Sequence, residues 1–198
     1  MNVQRLVPIL LLSCCFSLYN MAHAATPSAS MLANTCAGCH GTNGSSVGPA
    51  SPTIAGISKD YFIETMEAYK KGERPSTIMT RIAKGYTEEE IELMAGFFAK
   101  QKFVRQRQKF DSKKAQTGKK LHKKYCEKCH EKGGRSSEDD AGILAGQWEP
   151  YLRFTMEDFT SGNRTMEKKM KKKMKALDKS HGDKGVDALI HYYASQSK

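Results

Sequence analysis

The chain has 198 residues, with 32 Lys and Arg against 21 Asp and Glu and a formal net charge of +11. This length suits two small domains and is tight for one large one. Beyond the N-terminus no segment is apolar enough to span a membrane. The basic runs also lack the interleaved aromatic residues that are typical of nucleic-acid-binding proteins.

Residues 1–24 have the pattern of a signal peptide. Arg5 provides a positive start, residues 6–18 are mostly apolar, and Ala-His-Ala at 22–24 is a small-residue cleavage site. We therefore expect a mature chain that begins at Ala25 and is exported to the periplasm. The apolar run is shorter than the roughly 20 residues of a membrane span.

Cleavage at this site removes Cys14 and Cys15. A lipoprotein acylated at Cys14 is a weaker alternative, because the preceding Leu-Leu-Ser would truncate the apolar region. Of the six cysteines, four remain in the mature chain. None of these four is left over for a structural disulfide or a catalytic thiol.

The four remaining cysteines belong to two copies of Cys-x-x-Cys-His, at residues 36–40 and 126–130. This pattern is typical of covalent haem c attachment. The two thiols are spaced to bond the vinyl groups of one haem, and the histidine is placed to ligate the iron. The predicted haem-attaching residues are Cys36, Cys39, Cys126 and Cys129, and the predicted iron ligands are His40 and His130.

Two other chemistries use a Cys-x-x-Cys pair. Thioredoxin-like dithiols contain one pair, and two pairs could supply four thiolates to one zinc. The histidine directly after each pair, the export signal and the place of each motif at the head of a repeat favour haem over both alternatives.

The first half predicts an all-helical domain. A short helix leads into the first motif, and a helix over residues 59–71 places four apolar side chains at helical spacing: Phe62, Ile63, Met66 and Tyr69. Another helix begins at Thr87, an N-cap residue with Glu90 three positions later as a capping box. No strand pattern of useful length occurs.

Met79 lies between these two helices, shortly after Gly72 and Pro75. A loop at this point could fold across the far face of the haem, and methionine is a known axial ligand opposite histidine. We predict that Met79 is the second ligand of the first iron. The alternative is a core methionine.

The predicted domains are residues 25–110 and 111–198. Residues 101–118, rich in Lys, Arg, Gln and Ser, predict a linker or an extended helix end, with the boundary near Phe110. In the second domain we expect a helix over about 151–160, just after Pro150. A last helix follows around the apolar residues Val186, Leu189, Ile190 and Tyr193.

The two halves are copies of one domain. A shift of 90 positions aligns the two motifs, Tyr61 with Tyr151, and Arg74 with Arg164. A shift of 95 aligns the ends of the last helices. Such a duplication gives two equivalent domains, and each copy needs only its own haem to complete a core.

The second iron has three candidate methionine ligands four residues apart: Met166, Met170 and Met174. On a helix they form one stripe, in which most are core residues. Met170 lies seven residues before the apolar Leu177, and the same interval separates Met79 from Tyr86. The repeat therefore favours Met170, with Met166 as the alternative and Met174 third.

Ligation of an iron by two histidines is a further alternative. The candidates are His122, His181 and His191. An exposed or structural role is the default for each of them.

Positive charge is concentrated in the second half. Residues 25–110 hold 11 basic and 8 acidic residues, whereas residues 111–198 hold 20 and 13. The densest run places six lysines between positions 168 and 175. It is either a solvated face or a docking surface for an acidic partner, whose approach long-range attraction would accelerate.

Seven stretches, in order, carry a family resemblance: Cys-Ala-Gly-Cys-His-Gly-Thr-Asn-Gly (36–44), Val-Gly-Pro-Ala-Ser-Pro (47–52), Ser-Thr-Ile-Met (76–79), Arg-Ile-Ala-Lys-Gly-Tyr (81–86), Lys-Tyr-Cys-Glu-Lys-Cys-His (124–130), Leu-Ala-Gly-Gln-Trp-Glu-Pro-Tyr-Leu (144–152) and Met-Glu-Lys-Lys-Met (166–170). They resemble the di-haem cytochrome subunit of flavocytochrome c sulfide dehydrogenase and, more broadly, cytochrome c4. The resemblance covers nearly the whole mature chain. It implies an all-α fold of two tandem cytochrome c domains, each around one covalent haem c, with the axial pairs His40–Met79 and His130–Met170.

The resemblance also implies a division of labour. A separate flavoprotein subunit carrying FAD would oxidise sulfide, and this chain, itself non-catalytic, would pass electrons to a soluble acceptor cytochrome. A free-standing shuttle to a terminal oxidase is the alternative. A di-haem enzyme acting directly on a sulfur substrate would need an open iron site or a spare cysteine, and the four mature cysteines leave none.

One departure concerns the ligating imidazoles. Near Gly48-Pro49 a backbone carbonyl is expected to hold His40, but the 90-position shift puts Asp139 there in the second copy. We therefore expect His130 to have a different hydrogen-bond partner, which would change its basicity and the potential of the second iron.

Overall fold

The computed structural model describes residues 27–138 and 141–197, and these form two consecutive helical domains without a strand in the described part. The all-α fold predicted from the sequence is confirmed. The signal peptide with its cleavage site, and Asp139, lie outside the described residues. No helix within them has both the length and the apolar character needed to cross a bilayer.

The first domain contains five α-helices: Ala29–Asn34 (α1), Ala37–His40 (α2), Lys59–Lys71 (α3), Met79–Ile82 (α4) and Glu88–Ala99 (α5). Helix α5 packs against both α1 and α3. Cys39 and His40 of the first motif lie in α2. This short helix directly follows α1, which packs on α5.

The two long helices of this domain agree with the sequence prediction. The capping box of α5 is present, because Thr87 N–H donates to Glu90 Oε2 at 2.9 Å and Glu90 N–H donates to Thr87 Oγ1 at 3.2 Å. The apolar side of α5 is buried: Ile91, Met94, Ala95 and Phe98. Helix α3 is capped by the Ser58 hydroxyl and ends at Gly72, whose φ of +75° favours glycine.

The second domain also contains five α-helices and one π-helical turn: Ser112–Leu121 (α6), the turn His122–Cys126, Glu131–Gly134 (α7), Glu149–Thr160 (α8), Lys168–His181 (α9) and Asp183–Ala194 (α10). Helix α6 packs along α10. A Cβ on Gly118 would lie 2.0 Å from the carbonyl oxygen of Ala188, so this close approach requires glycine.

The structure decides two segments that the sequence left open. The last part of the expected linker is helical, because the Asp111 carboxylate accepts hydrogen bonds from the N–H groups of Lys113 and Lys114 and begins α6. The lysine-rich stretch, which suited either a helix face or a loop, is helix α9. Lys, Met, Ala and Leu all favour helices, and the Glu167 carboxylate caps this one at Lys169 N–H, 2.9 Å away.

The domains meet through residues from both halves. Ile143, from the second half, is buried in the core of the first domain. The ring of Trp148 lies against Gly48, and its Nε1–H donates to the carbonyl of Ser46 at 3.3 Å. The two repeats are therefore joined by packed side chains as well as by the chain between them.

Candidate haem sites

The first site is built where α2 follows α1. Cys36 is half-buried and Cys39 is exposed, while His40 is 9% exposed. His40 Nδ1 lies 2.8 Å from the carbonyl oxygen of Pro52. A carbonyl only accepts, so Nδ1 carries the hydrogen, and in the neutral imidazole Nε2 keeps its lone pair for a metal.

The protonation of His40 fits this role. Burial lowers the pKa of the imidazole, against the smaller raising effect of the hydrogen bond to Pro52. The ring therefore stays neutral at the pH where it must bind iron. The sequence placed the supporting carbonyl near Pro49; the carbonyl that holds the ring is that of Pro52, three residues later.

The cysteine environments disfavour a dithiol or a zinc site. Burial raises the pKa of the Cys36 thiol, and it raises the pKa of Cys126 to about 11. Redox dithiols and zinc sites need thiolates, which these surroundings suppress. In the described residues, no three His, Cys, Asp or Glu side chains gather as metal ligands.

The second site lacks the carbonyl contact. His130 Nδ1 is buried and has no hydrogen-bond partner among residues 27–138 and 141–197. The residue that the repeat aligns with Pro52 is Gly142. Burial lowers the pKa of His130, and a nearby histidine, His122, lowers it further. The sequence predicted a different hydrogen-bond partner for His130, but within the described residues its Nδ1 has none.

Each candidate methionine can be placed in the fold. Met79 is the first residue of α4 and packs, half-buried, against the core of the first domain. Met170 and Met174 are half-buried on α9, one turn apart, and Met166 precedes that helix. Of the last three, Met174 packs against the core of the second domain.

The pattern of burial supports the repeat frame that aligns Met170 with Met79. Four residues after Met79 lies Ala83, which is 0% exposed, and four residues after Met170 lies Met174, which packs against the second core. In this frame Leu177 corresponds to Tyr86, and it is 1% exposed. Met174 then takes the core position of Ala83, and Met170 stays the predicted ligand.

The three histidines considered for bis-His ligation have other surroundings. The ring of His122 is 1% exposed; its Nδ1 lies 2.9 Å from Tyr193 Oη and its Nε2 lies 2.5 Å from Glu127 Oε2. His191 Nδ1 accepts from the N–H of Asp111 at 3.3 Å. His181 is exposed at the end of α9.

The His122, Tyr193 and Glu127 group is a polar network that the sequence did not reveal. It lies beside the second motif, and the Tyr193 hydroxyl is close to the sulfur atom of Cys126. The repeat aligns its members with Leu32, Phe98 and Ala37 of the first domain. A comparison of the two copies at these three positions would have revealed the polar network, because the first copy has apolar residues there.

A buried cation lies between the domains. Arg74 is 6% exposed and donates to Thr65 Oγ1 at 2.9 Å and to the hydroxyl of Tyr151 at 3.0 Å. Within the described ranges it has no carboxylate at ion-pair distance. A buried charge needs a counter-charge, and a haem propionate carries one. The site therefore fits haem.

A second arginine acts on the same cluster. Burial raises the pKa of the Tyr61 hydroxyl, but the charges of Arg74 and Arg164 outweigh burial and bring the pKa to about 8. Tyr61 with Tyr151, and Arg74 with Arg164, are equivalent pairs in the repeat. The two domains thus meet around two tyrosines and two arginines that the duplication relates to each other.

Comparisons with protein families agree with this division into two haem domains. The cytochrome c family profile matches residues 25–101. The profile of cytochrome c oxidase, cbb3-type, subunit III matches residues 113–192. Each match includes one Cys-x-x-Cys-His motif.

Two similar proteins bear on the function of the chain. The cytochrome subunit of sulfide dehydrogenase of Chlorobaculum tepidum is 48% identical over 68 residues, which are 34% of this chain and 61% of that protein. Cytochrome c4 of Pseudomonas aeruginosa is 28% identical over 202 residues, 96% of this chain and 98% of that protein.

Among solved structures, reduced cytochrome c4 from Pseudomonas stutzeri superimposes with a TM-score of 0.71 at 24% identity, over 86% of this chain and all of that one. Cytochrome c domains imply covalently bound haem c, and two such domains imply two haems. The chain therefore belongs to the cytochrome c family, as a di-haem electron-transfer cytochrome related to the cytochrome subunit of sulfide dehydrogenase and to cytochrome c4.

Proposed function

We propose that the chain is the periplasmic electron-transfer subunit of a sulfide-oxidising flavocytochrome. It takes electrons from a flavoprotein subunit that carries FAD, and it passes them to a soluble acceptor cytochrome. The observation that carries the proposal is the 48% identity to the cytochrome subunit of sulfide dehydrogenase, the highest identity among the relatives reported above.

Haem c, when bound, supplies one-electron redox chemistry through an iron whose potential its axial ligands and surroundings set. The proposed attachment residues are Cys36, Cys39, Cys126 and Cys129, and the proposed axial pairs are His40 with Met79 and His130 with Met170. Met166 is the alternative to Met170. With both axial positions filled by protein, the chain binds no substrate at iron, and sulfide chemistry falls to the flavoprotein.

The role of the protein residues is to hold two unequal sites in a fixed relation. The Pro52 carbonyl orients His40, whereas the polar group His122, Tyr193 and Glu127 surrounds the second motif. Differences of this kind change ligand basicity and iron potential. Two unequal sites in one rigid unit suit a relay with a direction.

A free-standing electron shuttle is the second candidate function. Its support is the extent of the similarity to cytochrome c4, which runs over 96% of this chain, whereas the match to the sulfide dehydrogenase subunit runs over 34%. In this alternative the chain forms no lasting complex with a flavoprotein and carries electrons to a terminal oxidase.

Co-purification separates the two. The native protein is isolated from its source through a C-terminal affinity tag at low and at moderate salt, and flavin and haem are measured in the same fraction. A subunit retains flavin in fixed proportion to haem at both salt concentrations, and adding sulfide reduces the haems. A lone cytochrome without flavin at either salt concentration sinks the subunit proposal and supports the shuttle.

A further inference from the structure

We infer that the lysine-covered face of helix α9 is the surface on which an acidic electron-transfer protein docks to receive electrons from the second haem. The inference rests on the proposed electron-transfer function and adds which domain the acceptor meets and how it is recognised. The α9 lysines are Lys168, Lys169, Lys171, Lys172, Lys173 and Lys175.

The fold makes no use of these six charges. All six side chains are exposed, and none forms an ion pair with a carboxylate in the part of the chain that the structure describes. Helix α9 is held by its other side, where Met174 and Leu177 pack on the core. Like charges three and four residues apart on a helix repel one another, so the run costs stability and needs another reason to exist.

The α9 lysines border the second haem attachment site. Helix α9 packs against the turn His122–Cys126, which carries the first cysteine of the motif. Of the six lysines, Lys173 lies close enough to Cys126 for its charge to act on the sulfur atom. A partner seated on this face is therefore close to the attachment residue of the second haem.

The first domain carries less charge at the same place, because only Arg81 and Lys84 match α9 lysines, namely Lys172 and Lys175. Its proposed axial methionine is flanked by Ile78, 44% exposed, and Ile82, 38% exposed. In the repeat frame that aligns the two axial methionines, these positions are Lys169 and Lys173. Both the isoleucine pair and the lysine pair face solvent, so packing does not account for their different chemistry. Recognition of different partners does account for it.

The chemistry of the face indicates the kind of partner. Clustered positive charge attracts an acidic protein over a distance of about one Debye length, roughly 10 Å at 0.1 M salt, and speeds its encounter by about 10- to 1000-fold. Lysines are flexible, strongly hydrated point charges, whereas arginines make rigid bidentate contacts. Such a face favours fast, short-lived docking.

The test uses the full di-haem protein with two matched charge reversals. Lys169→Glu with Lys173→Glu changes the proposed face. Lys179→Glu with Lys184→Glu makes the same change of charge at exposed positions of the same domain, at the far end of α9 and the start of α10. Glutamate is a good helix former and is favoured near a helix N-terminus, as at Lys169 and Lys184, whereas at Lys179, in the last turn of α9, it is mildly unfavourable. Unchanged visible spectra of both variants confirm that the haem sites are intact.

The measurement is stopped-flow oxidation of the dithionite-reduced protein by an acidic blue-copper protein. At about 10 mM ionic strength we expect K169E/K173E to slow the second-order rate by about tenfold and K179E/K184E by less than about threefold. At about 0.5 M salt the rates should converge to within twofold. Equal effects of the two pairs, no effect of the first, or a slowing that persists at high salt overturns the inference.

Sedimentation at the same low ionic strength tests a second occupant. If the wild type self-associates and K169E/K173E does not, the face binds another copy of this chain and the inference is wrong. Because the protein is reduced chemically, the assay needs neither flavoprotein nor sulfide. It therefore fails or succeeds independently of the co-purification result.

Discussion

Thr53 and Gln147 exchange two hydrogen bonds across the domain interface. The N–H of Thr53 donates to Gln147 Oε1, and Gln147 Nε2 donates to the carbonyl of Thr53, each at 3.0 Å. The residues are 3% and 4% exposed. A single side-chain amide thus pairs with both backbone groups of a buried residue of the other domain, and it links the two haem domains.

Gln147→Ala should weaken the fold measurably. It leaves the buried N–H and C=O of Thr53 without partners, which costs about 1–3 kcal/mol in the free energy of unfolding. Urea denaturation of the di-haem protein checks this. The control is Gln116→Ala at an exposed position, expected to change stability by less than about 0.5 kcal/mol. Equal small effects of both substitutions would show that the amide pair does not hold the interface.

Arg74→Gln should cost more than Arg164→Gln, although the two arginines are equivalent in the repeat. Arg74 is buried and donates to Thr65 and Tyr151, and hydrogen bonds of charged groups are worth about 1.5–3 kcal/mol. Arg164 is half-buried and lies 4.3 Å over the ring of Phe159. Denaturation midpoints of the two variants under the same conditions provide the comparison, and equal losses would contradict the asymmetric placement.

His122 should make stability depend on pH. Burial lowers its pKa in the folded protein, against the raising effect of Glu127, whereas the unfolded value is about 6.5. The unfolded chain therefore binds the proton more readily, and the stability contributed above pH 6.5 is lost as pH falls below that value. His122→Leu, which restores the residue of the first repeat, removes this loss.

The measurement is urea denaturation of wild type and His122→Leu between pH 7.5 and 5. We expect the variant to gain on the wild type by up to about 1.4 kcal/mol per pH unit below 6.5. His40 titrates alike in both proteins and cancels in the difference, whereas His122 lowers the pKa of His130, so the contribution of His130 changes with the substitution. Parallel curves would mean that His122 keeps an ordinary pKa in the fold.

The sequence predicts local features of the fold well, but it does not predict contacts between residues that are far apart in the chain. Helices α3 and α5 were predicted correctly because helical spacing and the Thr87 capping box are local signals. The Thr53–Gln147 pair spans 94 residues and leaves no local pattern. Ile143 belongs by sequence to the second domain but is buried in the core of the first, which only the docking of the domains decides.

The two sites show the same limit. The motif residues were evident, and the unequal support of His40 and His130 followed from comparing the repeats. The carbonyl that holds His40 was expected near Pro49 and is that of Pro52, because backbone direction decides which oxygen faces the ring. Helix α9 was one of two conformations that the sequence left open, since its lysine run suits both a helix face and an exposed loop.

The axial methionines make a matched series. Met79→Ala and Met170→Ala should each remove the methionine-to-iron charge-transfer band of one haem and leave the other. Met174→Ala should keep both bands and cost about 1–3 kcal/mol of stability, because it trims a half-buried core contact. If Met174→Ala or Met166→Ala removes a band and Met170→Ala does not, Met170 is not the second ligand.

The central claim is that each domain carries one covalently bound haem. The most direct measurement is the mass of the protein after denaturation, together with iron per chain. The wild type should carry two haems, and the variants C36S/C39S and C126S/C129S should each carry one. A wild-type mass without bound haem, or a variant pair that keeps both, would contradict the account.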